Sequence, residues 1–181
     1  MVAKALATKL GGEYLGIGDI VENEKLCSGF DEDRNSIVAD VRRVSRRIKK
    51  LVHDSTKTII IEGHYAPDVI PAELVSSVFV LRRDPEKIKE VFEARGYNKK
   101  KISENMEAEM LDVCLTHAIN KYGVEQVDEI DVTKMTVSEV VEEILLVLEG
   151  QRSPKVGIVD WFSELERKGR LDLMLSFLND N

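Results

Sequence analysis

The sequence predicts an α/β layer fold, a parallel sheet flanked by helices, and three observations carry that reading. Thr56-Lys-Thr-Ile-Ile-Ile-Glu62 and Ser77-Val-Phe-Val-Leu-Arg82 are short, continuous apolar runs, the pattern of strands covered on both faces. Segments with helical spacing alternate with them, and no repeat or long Pro/Gly/Ser-rich linker divides the chain. At 181 residues the chain can bury one sizeable core, so a single domain over residues 1–181 is expected.

In chain order, residues 2–10 place Val2, Leu6 and Leu10 four apart among helix-favouring alanines, and Gly11-Gly12 supplies a stop. Residues 13–17 read as a short strand, after which Gly18-Asp19 offers an N-cap for a helix through Leu26. Residues 27–35 are rich in turn formers and read as a polar loop. Residues 37–52 return to helical spacing, with the basic run RRVSRRIKK read as a solvated face. Beyond the two strands, Asp84-Pro85 begins a helix through Ala94, residues 101–122 form another, and residues 126–132 a later strand. Thr136-Val-Ser-Glu139 is a capping box for a helix ending at Gly150. The tail, residues 151–181, holds a strand candidate at 156–159, an amphipathic stretch expected to dock on the body, and Trp161 as a packing anchor.

The formal net charge of −7 opposes a protein that grips nucleic acid mainly by phosphate neutralisation, although local basic patches stay open. Cys27 and Cys114 fit neither a disulfide framework nor a metal-spaced cluster and read as reduced core thiols. With no signal peptide or bilayer-length apolar run in the sequence, a cytoplasmic protein without membrane contact is expected.

In an open parallel sheet, ligands bind beyond the carboxyl ends of the strands. Glu62-Gly63-His64 stands at such an end, where Glu62 can accept hydrogen bonds from water on Mg²⁺ and His64 can position a nucleophile. As an isolated Glu-x-His it reads first as structural, with Glu62 capping a neighbouring loop and His64 a satisfied edge histidine. Arg95-Gly-Tyr-Asn-Lys-Lys-Lys101 is a glycine-broken basic segment suited to closing over phosphate oxygens, with a plain helix-loop-helix connection as the alternative.

That second segment, with Ile102-Ser-Glu-Asn105 and Glu107-Ala-Glu109 after it, resembles the lid of the archaeal and eukaryotic adenylate kinase family involved in small-subunit ribosome maturation. Glu62-Gly-His64 is similar to that family's acid-x-His variant of the Walker B motif, where Asp is the commoner acid. Tyr14-Leu-Gly-Ile-Gly-Asp19 and Gly29-Phe-Asp-Glu-Asp33 resemble its monophosphate-binding segment. The resemblance implies a P-loop kinase-like fold, an NMP-binding segment at 16–39 with Gly18 and Asp19, and a lid at 94–104 with Arg95, Gly96, Tyr97 and Asn98. It implies ATP and AMP or another NMP as substrates, Mg²⁺ with ATP, an ATPase side activity, and a small-subunit ribosomal protein or pre-30S particle as partner. Sequence-specific nucleic-acid binding is not expected. Glu62 and His64 are then the catalytic candidates and Arg95 the ATP-binding one. The family's N-terminal central strand and its Gly-x-x-x-x-Gly-Lys-Ser/Thr loop are not found here. The expectation is a truncated form whose remaining strands carry unpaired edges, or else an assembly factor without turnover. A flavodoxin-like α/β domain is the blander alternative.

Overall fold

The structure, a computed structural model, describes residues 1–32, 34 and 36–179. They divide into two units, Met1–Val78 with Thr136–Ser153 and Phe79–Met135 with Pro154–Asn181, each described by itself.

In the first unit, the alanine-rich helix α1 (Val2–Lys9) leads into strand β1 (Glu13–Gly16) and helix α2 (Ile17–Asn23). Gly16 is the N-cap of α2, so Gly18 and Asp19 lie inside its first turn and not at its cap as expected. Residues 27–39 depart further from the predicted loop. β2 (Cys27–Asp31) and β3 (Ser36–Ala39) pair antiparallel, with Phe30 opposite Ile37 and Gly29 opposite Val38. The same pairing takes Ile37 and Val38 out of the predicted helix. Helix α3 (Val41–Asp54) starts four residues later, where the Asp40 carboxylate accepts from the Arg43 N–H. Strand β4 (Ile59–Glu62) pairs parallel with β1 from Glu13↔Ile59 to Gly16↔Glu62, and the short helix α4 (Ala66–Val69) follows. The core here is Ile17, Ile20, Val21, Leu26, Val44, Ile48, Val69 and Ile70.

The second unit opens with strand β5 (Val78–Arg82), then helix α5 (Pro85–Ala94), whose Asp84 cap accepts from the Glu86 N–H. The single helix predicted over 101–122 is two, α6 (Lys99–Met110) and α7 (Val113–Tyr122). Asp112 breaks it in the left-handed region (φ 54°), where its carboxylate takes a hydrogen bond from Arg82. Strand β6 (Val127–Asp131) pairs with β5. Helix α8 (Val137–Leu148) returns to the first unit, packs on α1, and shows both hydrogen bonds of the capping box. The tail contributes α9 (Trp161–Arg167) and α10 (Leu171–Asn179) to the second unit. Residues 156–159 do not form the predicted strand. The Lys155 carbonyl accepts from the Glu129 N–H, but the Lys155 and Ile158 N–H groups donate to the side-chain carboxylates of Asp128 and Glu129. Trp161, Leu165 and Met174 pack on Ile102, Met106 and Met110 of α6, so the tail does dock.

Among the described residues every sheet has two strands. Cys27 and Cys114 are free, but both are exposed and neither is a core thiol. No described helix is long and apolar enough to cross a membrane.

Candidate functional site

Parallel pairing brings the carboxyl ends of β1 and β4 together, because Gly16 and Glu62 are register partners. The Tyr14 hydroxyl spans the pair and donates to Glu62 Oε1 at 3.1 Å. Burial, then the Glu62 hydrogen bond and the nearby Glu62 and Asp19 charges, push the Tyr14 phenol up to about 12. A Cβ on Gly16 would lie 2.6 Å from both the Tyr14 hydroxyl and the Asp19 carboxylate, so only glycine lets these groups converge. Gly63 meets a similar limit, 2.8 Å from Ile17, and its carbonyl accepts from the Ala66 N–H as the chain turns.

Glu62, Gly18 and Asp19 therefore meet at one strand end. His64 follows two residues on, its ring edge-on to Tyr65 at 4.8 Å. Partial burial of that ring lowers its pKa against the opposing pull of Asp68, which favours neutral imidazole near pH 7. Among the described residues no group of three or more His, Cys, Asp or Glu side chains could hold a metal ion. One exposed carboxylate with a free oxygen suits Mg²⁺, an ion that keeps most of its water, and the residues fit it in that limited sense.

The predicted lid belongs to the second unit. Arg95 ends α5, Gly96 takes φ 72°, and the Asn98 side chain caps α6 by accepting from the Lys101 N–H. Tyr97 lies edge-on to Phe92 at 5.0 Å, with the Lys101 ammonium 4.4 Å from its ring centre. Arg95 is exposed and has no ion pair among the described residues, so its guanidinium is free to take phosphate oxygens. The helix-turn-helix is an ordered basic corner.

A family profile described as an AAA domain matches residues 1–112. A Methanocaldococcus jannaschii protein named "Putative adenylate kinase" is 38% identical over 160 residues, 88% of this chain and 84% of that one. Proteins of the same name from Thermococcus onnurineus and Natronomonas pharaonis are each 36% identical, over 167 and 153 residues, covering 92% and 84% of this chain and 86% of each relative. The chain belongs to this adenylate kinase family. The kinase-like fold expected from the lid and the Glu-x-His motif is thereby shown.

For this adenylate kinase family member, sequence reasoning missed two groups. Tyr14 sits inside the Tyr14–Asp19 motif, but its hydroxyl's role depends on strand register. Arg82 read as the end of a strand, yet it is 1% exposed and its guanidinium reaches three carboxylates. It donates to Glu109 at 2.7 Å, to Asp112 and Glu129 at 2.5 Å each, and to the Glu109 carbonyl at 2.9 Å. The Trp161 indole N–H adds a 2.8 Å bond to the same Glu109 oxygen. Burial pulls the Arg82 pKa down, but the Glu109 and Asp112 carboxylates outweigh it and keep the guanidinium charged. An arginine closing the apolar strand run Val78-Phe-Val-Leu-Arg82 was the available signal, since a charge carried inward by such a strand needs partners.

Proposed function

We propose that this chain is a broad-specificity nucleoside monophosphate kinase with ATPase activity, transferring a phosphoryl group between Mg²⁺·ATP and AMP, in the service of small ribosomal subunit (30S/40S) maturation. One observation carries the reading: β1 and β4 end together with Tyr14 orienting Glu62 beside Asp19. In this reading Glu62 accepts from a water of the Mg²⁺ shell, and the ion supplies neutralisation of phosphate charge when bound. Neutral His64 accepts a proton or orients the attacking oxygen. Gly18 and Asp19 border the monophosphate, and Arg95 offers a two-pronged donor to triphosphate oxygens from the lid of residues 94–104. The whole chain then serves as one kinase domain. The partners are the two nucleotides and a small-subunit ribosomal protein or pre-30S particle in the cytoplasm.

The 181 residues contain no Gly-x-x-x-x-Gly-Lys-Ser/Thr run, so turnover requires a phosphate nest supplied in addition to them. That same observation favours a second reading, an assembly factor that binds its partner without turning nucleotide over. Intact mass of the natively expressed protein decides whether a nest-bearing segment is joined to these residues. With such a segment, ATP, AMP and Mg²⁺ should give ADP, and Glu62→Gln should slow Mg²⁺-dependent formation by about 10- to 100-fold, the usual loss when a metal's outer partners are removed. Full activity of Glu62→Gln would refute the metal-water role. Absence of turnover with retained co-sedimentation on 30S particles would select the assembly-factor reading.

A further inference from the structure

Helix α3 (VRRVSRRIKKLVHD) is built against the electrostatic preferences of an isolated helix. Its first turn has no acidic residue and instead carries Arg42 and Arg43, where the macrodipole disfavours cations. Arg42 with Arg46, Arg43 with Arg47, and Arg46 with Lys50 are like charges four residues apart, each a small local cost. Among the described residues only Arg47 is compensated, through its bond to Glu24 at 2.7 Å. Arg42, Arg43, Arg46, Lys49 and Lys50 are exposed and without ion pairs among the described residues. At about 100° per residue they fill an arc of roughly 120° opposite Val44 and Ile48, and they extend over about 12 Å of helix.

This arc belongs to a chain of net charge −7, in which acidic residues outnumber basic ones 33 to 26. A solubility role needs mixed or acidic charge, which the rest of the chain already provides. An exposed face of one sign, kept at a cost to its own helix, points to an external anion. An anionic membrane is a poor fit, because an interfacial helix inserts its apolar face, and here Val44 and Ile48 are fully buried in the protein core. The backbone of a nucleic acid fits well: dense, regular negative charge, which arginine forks and lysine ammoniums meet without reading bases.

We infer that the exposed face of α3 is a docking surface for nucleic-acid phosphates, bound without base specificity. It is independent of the strand-end site and adds a polyanion contact to whatever chemistry occurs there.

The test is fluorescence anisotropy of a labelled 20-nucleotide single-stranded RNA with the full chain, titrated from 50 to 200 mM salt. Five phosphate contacts give a slope of log K against log salt near −3.5, about a 100-fold loss of affinity across that range. Arg42→Gln, Arg46→Gln, Lys49→Gln and Lys50→Gln together, with folding checked by circular dichroism, should leave a slope near −0.7 and about a threefold loss. Lys57→Gln with Lys121→Gln, exposed cations elsewhere, should bind as the parent does. An unchanged slope in the fourfold variant, or no RNA binding by the parent at 50 mM salt, overturns the inference. So does preferential capture by anionic vesicles or polyglutamate.

Discussion

Arg82→Met removes the cation at the centre of the second unit while keeping most of the side-chain volume, so the loss can be worked from its partners. Asp112 has a side chain 44% exposed and can turn to water. Glu109 retains the Trp161 indole and the Arg83 N–H. The burden falls on Glu129, 0% exposed, whose remaining partner is the Ile158 N–H. Stranding one member of a buried ion pair costs about 3–5 kcal/mol. For a chain of this length each kcal/mol lowers Tm by about 2–4 °C, so a drop of about 6–20 °C is expected. The assay is urea and thermal unfolding followed by far-UV circular dichroism. Hydrogen exchange should localise the loss to α6, β6 and residues 154–160. Adding Glu129→Gln should recover part of the loss, because the uncompensated charge is then gone. A loss below about 1 kcal/mol, or no recovery in the double variant, would refute the argument. Acidification supplies a further check. Burial raises the Glu109 carboxyl above its ordinary value against the hydrogen bonds from Trp161 and Arg82. Its stabilising contribution is thus fully present below about pH 4.5 and fades as pH rises through the raised value. The deficit of Arg82→Met should accordingly shrink as pH falls through that value.

Other outcomes can be measured with equal directness. In an ultraviolet titration of the four tyrosines, Tyr14 should ionise near pH 12, and Tyr14→Phe should delete that step. Because its folded pKa is raised, the Tyr14 contribution to stability is intact below pH 10 and is lost between there and about 12; ionisation of every tyrosine near 10 would contradict the Glu62 contact. Thr136→Ala removes one half of the capping box and should cost about 1 kcal/mol in urea melts, with Thr136→Ser close to neutral. Trp161→Phe keeps the apolar contacts with α6 but drops the bond to Glu109, so about 1.5–3 kcal/mol should be lost, and an unperturbed melt would mean the bond contributes nothing.

Local chemistry was legible wherever a residue acts through its immediate neighbours. Asp84-Pro85 and Thr136-Val-Ser-Glu139 begin helices where the sequence says they do, because a cap is a three-residue event. The apolar runs at 59–61 and 78–81 read as strands for the same reason. The β2–β3 hairpin was invisible because its strands are largely exposed and lack an alternating pattern, so only the pairing of Phe30 with Ile37 defines it. Asp112 looked like one more helical residue until Arg82, thirty positions away, took its carboxylate. Residues 156–159 carry strand-like composition, yet Asp128 and Glu129 occupy the Lys155 and Ile158 N–H groups that a ladder would use. At the candidate site the residue types were readable, but their convergence was not. The meeting of Tyr14, Asp19 and Glu62 follows from register, and Asp33 and Asn35 of the 16–39 segment lie outside the described residues.

The sole tryptophan is buried at 3% exposure with its indole N–H on Glu109, a residue of the helix that Asn98 begins. An indole in that setting emits at shorter wavelength than one in water, and its spectrum responds to a carboxylate a hydrogen bond away. The protein therefore carries an intrinsic fluorophore hydrogen-bonded to helix α6. Nucleotide titrations and stopped-flow traces can follow α6 in the unlabelled chain, with Trp161→Phe as the dark control.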